Sequence, residues 1–149
     1  MTLPATGVRI TARADRIDIG PDAASIYDLK TGKPPSRKET ETFAKQVLIE
    51  AIMLARGGFD DLPAQTVAEA AYIGLGPPYE ETRLDVSSHL LERIALELDD
   101  LLRHYSDPAS GYAARLRPKW IKYASDFDGI SRYGEWDDTD TARTIEVGR

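Results

Sequence analysis

Cysteine does not occur in these 149 residues. That excludes disulfides, thiol catalysis, zinc fingers and iron–sulfur clusters together. Long apolar runs are missing too: none approaches the roughly 18 residues that a membrane span needs. The start, Met1-Thr2-Leu3-Pro4-Ala5-Thr6-Gly7, has neither the basic nor the apolar region of a signal peptide. A cytoplasmic location with no membrane partner is therefore expected. Cations are scarce relative to anions, with 19 Lys and Arg against 25 Asp and Glu and a net charge of −6. A chain that grips nucleic acid by charge alone would need clustered Lys and Arg, so that class is disfavoured. No internal repeat is visible.

What is present is ordinary for a globular domain: 42% apolar and 30% charged residues. The length is enough for one domain, residues 1–149, to bury its own core. We expect that core over about 8–105 and a wrapping segment over 106–149. Residues 8–19 alternate apolar or small with polar, the period of a half-buried strand. Gly20-Pro21-Asp22 turns the chain, and Ala24 to Leu29 reads as the second strand of a hairpin. Ser36 and Glu39 have capping-box spacing, predicting a helix to about Arg56 with Phe43, Val47, Ala51 and Leu54 on one stripe. Gly57-Gly58 ends it. Thr66–Leu75 reads as a buried third strand, stopped by Gly76-Pro77-Pro78. A second helix begins near Asp85 or Ser87 and ends at Ser106-Asp107-Pro108, with Leu90, Leu91, Ile94, Leu98, Leu101, Leu102 and Tyr105 inward. Beyond Tyr112 the chain turns basic and aromatic, then acidic over 126–140, and reads as extended or irregular with a poorly ordered end. The expected fold class is α+β (mixed α/β), a small mixed sheet flanked by helices.

Chemistry concentrates on Asp28-Leu29-Lys30, at the end of the second strand, with Asp15 thirteen residues upstream. Two acids at the ends of neighbouring strands can hold a hard cation that also takes phosphate oxygens and waters. Lys30, two residues after Asp28, lies on the same sheet face, where it can orient a water and offset charge developing on phosphorus. Alone, Asp-x-Lys is common and reads first as a solvent-facing ion pair.

Three ordered motifs, Arg13-Ala14-Asp15-Arg16-Ile17-Asp18, then Tyr27-Asp28-Leu29-Lys30-Thr31-Gly32-Lys33, then Gln46-Val47-Leu48-Ile49-Glu50-Ala51, resemble the RecB-type nuclease module of the PD-(D/E)XK superfamily. More narrowly, they look like the C-terminal nuclease domains of AddB, a subunit of bacterial AddAB helicase–nucleases. Asp107 to Tyr112 and Arg132 to Trp136 fit the tail of that pattern. The resemblance implies a restriction-endonuclease-like core and a DNA exonuclease acting in double-strand break repair. It also implies Mg²⁺ or Mn²⁺ as cofactor. Asp15, Asp28 and the Leu29 backbone carbonyl would be metal ligands, Lys30 the catalytic lysine, and Gln46 an ordering residue on the helix. Implied partners are DNA, an AddA-like subunit and the remainder of an AddB-like chain.

Relatives carry a tyrosine four residues after the glutamine; here Glu50 stands there, its role open. Relatives also place a metal-binding histidine on a helix before the first strand. Only fourteen residues precede Asp15, so we expect an N-terminally truncated nuclease domain. His89 and His104 read as helix-surface residues. Asp18 reads as a surface acid, or as support behind the metal that pairs with Arg13 or Arg16. Arg115, Arg117, Lys119, Trp120 and Lys122 could track a DNA backbone or cover an acidic core. Gly32-Lys33 lacks the glycine run of a phosphate loop. Two other functions stay open: a catalytically silent structural or DNA-guiding module, and an unrelated restriction-type or junction-resolving nuclease.

Overall fold

A computed structural model describes residues 1–113, 124, 126–137, 139–141 and 143–145. Within Met1–Arg103, the first of two compact units, four strands form one sheet in the order β1-β2-β3-β4. They are β1 (Arg16–Ile19), β2 (Ala24–Lys30), β3 (Val67–Gly74) and β4 (Glu80–Leu84), with helices α1 (Arg37–Thr42), α2 (Gln46–Ala55) and α3 (Ser88–Ser106). β1 and β2 are an antiparallel hairpin, β2 and β3 are parallel across the helical crossover, and β3 and β4 are antiparallel. The sheet is therefore small and mixed, as the sequence predicts.

Side chains alternate across β2, with Ala24, Ile26 and Asp28 buried and the residues between them half-buried. Ala70 and Tyr72 of β3 continue that face. Val47, Leu48, Ala51, Ile52 and Leu54 of α2 and Leu91, Ile94 and Ala95 of α3 close one apolar core over it. Gly57 ends the α2 turn in the left-handed region, φ +64, where a side chain would be strained. Gly74 lets the turn after β2 close on β3: a Cβ there would lie 3.0 Å from Pro34 Cδ and 3.2 Å from the Gly32 carbonyl.

Four details differ from the sequence reading. The strand expected over 8–19 joins the sheet only at Arg16–Ile19. The residues before it pair locally with the N-terminus instead: the Ile10 N–H donates to the Met1 carbonyl at 2.8 Å, and Thr2 bridges Arg9. This fold-back buries Leu3 to 1% exposure, so the alternating pattern serves a terminal loop rather than the ladder. The predicted single helix is broken between Thr42 and Gln46, although its Ser36–Glu39 capping box forms. At the break, the Tyr72 hydroxyl donates to the Ala44 carbonyl at 3.1 Å and accepts the Val47 N–H at 3.3 Å. A residue on β3 thus satisfies backbone groups that a helix end would otherwise leave unpaired, and helical periodicity carries no trace of it. Phe43, at the break, is exposed rather than core, as is Leu101 on α3.

The fourth difference is β4, which the charged Glu80-Glu81-Thr82-Arg83-Leu84 concealed. Charges suit an edge strand because they discourage further pairing. Arg83 bridges Glu69 at 3.3 Å and also pairs with Glu81.

The second unit, His104–Arg149, has turns over residues 126–134. Its Trp136 Nε1 donates to the Ser131 carbonyl at 2.7 Å, and the indole meets Tyr133 edge-on. Arg115, Arg117, Lys119, Trp120 and Lys122 lie outside the described residues.

Candidate active site

The β1–β2 register pairs Arg16 with Tyr27, and continuing it by one residue sets Asp15 opposite Asp28. The Asp15 carboxylate is turned along the sheet edge, where Oδ2 accepts the Leu29 N–H at 2.9 Å. In a strand the N–H and C=O of one residue leave on the same side. The Leu29 carbonyl therefore faces the Asp15 edge, whereas the Lys30 carbonyl faces the other way and accepts the Leu75 N–H at 2.9 Å.

Asp28 points into the core face at 2% exposure. Burying a carboxylate is expensive unless a charge or hydrogen bonds replace its water. Lys30, on the same face, brings its Nζ to 2.7 Å from Asp28 Oδ2. The Asp28 carboxylate holds the Lys30 ammonium above its ordinary range, against the opposing effect of burial. The lysine also lies over the Tyr72 ring, 5.6 Å from its centroid. Tyr72 is the β3 partner of Asp28, so the group that ties the start of α2 stands beside the acid. The Lys30 ammonium is the charge that replaces water at Asp28 Oδ2.

Gln46 opens α2 and is exposed. Its amide does not reach Asp28; Nε2 donates to Glu50 Oε1 at 3.2 Å. Glu50 is the residue whose role the sequence alone leaves open. It is 2% exposed, and its Oε2 is likewise unpartnered among the described residues. Burial above all, then the nearby Asp28 and Asp15 carboxylates, push its carboxyl up; Gln46 and Lys30 pull the other way. The signal was available, because Glu50 is an acid set within the Val47, Ala51, Leu54 stripe.

A buried acceptor left unpaired costs about 1–3 kcal/mol, comparable with the 1.5–3 kcal/mol that burying one Val or Leu contributes. Stability alone would not keep Glu50 there. Glu50→Met is expected to raise unfolding stability by about 1–3 kcal/mol at pH 7. Because the folded chain holds the Glu50 proton more tightly than the unfolded chain, wild-type stability from this group falls as pH rises from the ordinary glutamate value to the raised one. The advantage of the Met variant should therefore shrink toward zero near pH 4, which urea titrations at the two pH values will read.

Asp18 lies away from this cluster in an exposed bidentate pair with Arg16, both contacts 2.8 Å. His89 and His104 are exposed on α3. Among the described residues, no three His, Asp or Glu side chains converge within reach of one metal ion, and no helix is long and apolar enough to cross a membrane.

Residues 1–125 match the family model of the PD-(D/E)XK nuclease superfamily. The chain belongs to that superfamily. No curated protein and no solved structure matches it. PD-(D/E)XK proteins generally hydrolyse phosphodiester bonds and typically use divalent metals. The mixed four-strand sheet with flanking helices is consistent with their restriction-endonuclease-like fold.

Proposed function

We propose that this chain is the catalytic module of a Mg²⁺- or Mn²⁺-dependent DNA exonuclease, working within an AddAB-like helicase–nuclease that processes double-strand breaks for recombination. One observation carries the chemistry: at the end of β2, Asp28 is buried 2.7 Å from the Lys30 ammonium, with the Asp15 carboxylate 2.9 Å from the next backbone N–H. The donor set fits a hard cation, since two carboxylates and a backbone carbonyl offer only oxygen, although Asp28 Oδ2 is held by the Lys30 ammonium at 2.7 Å. Such ions take oxygen ligands and commonly use one or two carboxylates. In this reading Asp15, Asp28 and the Leu29 carbonyl hold the cation. When bound, the ion would supply Lewis-acid chemistry to the phosphodiester and to the attacking water. Lys30 orients the attacking water and offsets charge gathering on the phosphate oxygens. Gln46, through Glu50, orders the helix side of the site.

The net charge of −6 supports a division of labour, in which a helicase partner and the remainder of an AddB-like chain deliver the DNA strand. A second reading, a catalytically silent DNA-guiding module of the same complex, is favoured by one fact: no three acidic or histidine side chains converge on one metal among the described residues.

The two readings separate in an end-labelled DNA assay with Mg²⁺ or Mn²⁺, run on the chain alone and with its helicase partner. The exonuclease reading expects metal-dependent release of nucleotides from linear DNA, sparing of closed circles, and loss in Asp28→Asn. DNA binding without cleavage under every metal condition would establish the silent module instead.

A further inference from the structure

Glu50 is a third acid, one turn past Gln46 on α2, the helix that packs over the β2 face carrying Ile26 and Asp28. Among the described residues its Oε1 is held by Gln46 Nε2 at 3.2 Å, and its Oε2 has no partner. The charged groups that act on it are Asp28, Asp15 and Lys30, the same three that surround the end of β2. For a carboxylate, that is a poor place: burial removes its water, and two neighbours carry its own charge. A divalent cation beside Asp28 would reverse that balance, since the largest local charge in such a site becomes positive.

We infer that Glu50 is a third acid of the cation site, engaging the hydrated cation through its free Oε2 while Gln46 fixes the orientation of the carboxylate. The inference rests on the reading of Asp15 and Asp28 as cation ligands. Mg²⁺ gives up its waters reluctantly and usually keeps several, so a carboxylate one hydration layer away still strengthens binding.

The test is binding of Mn²⁺ alone, followed by the loss of its free-ion paramagnetic resonance signal, with circular dichroism confirming that each variant folds. Wild type should bind Mn²⁺, Asp28→Asn should lose that binding, and Glu50→Gln should bind about 10-fold or more weakly, as outer residues of metal sites do when mutated. Gln46→Ala should weaken binding in the same direction by less, because it removes only the orienting bond. Asp28-dependent binding that is unchanged in Glu50→Gln overturns the role of Glu50 and leaves the Asp15–Asp28 site standing. Wild-type chain that shows no Asp28-dependent binding overturns both.

Discussion

Asp28→Asn should leave a folded protein whose metal-dependent DNA cleavage is lower by roughly 10³-fold or more. The estimate follows from chemistry that a divalent ion contributes: several kcal/mol of transition-state stabilisation, each 1.36 kcal/mol being tenfold in rate. Asparagine has nearly the same shape and keeps one acceptor oxygen, so the core face of β2 at Ala24, Ile26 and position 28 is preserved. Lys30 loses its counter-charge, yet its side chain is 37% exposed and can turn to solvent. Initial rates on linear DNA across a Mg²⁺ series, beside a denaturant melt of the same preparation, separate lost chemistry from lost fold.

Lys30→Ala should act differently, and the difference is diagnostic. Removing one group that stabilises developing charge costs about 10²–10³ in turnover. The ammonium also sits 2.7 Å from Asp28 Oδ2, where it competes with a cation for the same oxygen. Its removal should therefore tighten metal binding, by about 5-fold for each 1 kcal/mol of pairing that the cation no longer has to displace. Turnover and metal affinity thus move in opposite directions. A Lys30 that were merely a surface partner of Asp28 would leave turnover unchanged; metal titration of binding and of rate on the same variant distinguishes the cases.

Much of this site was legible because it is local. Period-two alternation put Asp28 and Lys30 on one face, and the short Gly20-Pro21-Asp22 turn made the hairpin that brings Asp15 beside them. The core was legible for the same reason along α2, where Val47, Ala51 and Leu54 recur at helical spacing. What escaped is set by contacts distant in sequence. The break before Gln46 depends on the Tyr72 hydroxyl, 28 residues from Ala44. The irregular course of residues 8–15 depends on the first three residues folding back. β4 escaped because its charges suit an edge and obscure its strand character. Glu50 sat in plain view as an acid in an apolar stripe, but its meaning required seeing that the stripe faces Asp28.

A divalent cation held at the Asp15–Asp28 end of β2 can be located directly. Fe²⁺ bound in place of Mg²⁺ generates hydroxyl radicals that cut the polypeptide beside the ion, and sequencing the fragments reads where it sits. Cuts near Asp15 and around Asp28–Lys30, suppressed by excess Mg²⁺ and lost in Asp28→Asn, are the predicted result. Cuts clustered elsewhere in the chain, or a pattern that Asp28→Asn leaves unchanged, would contradict it.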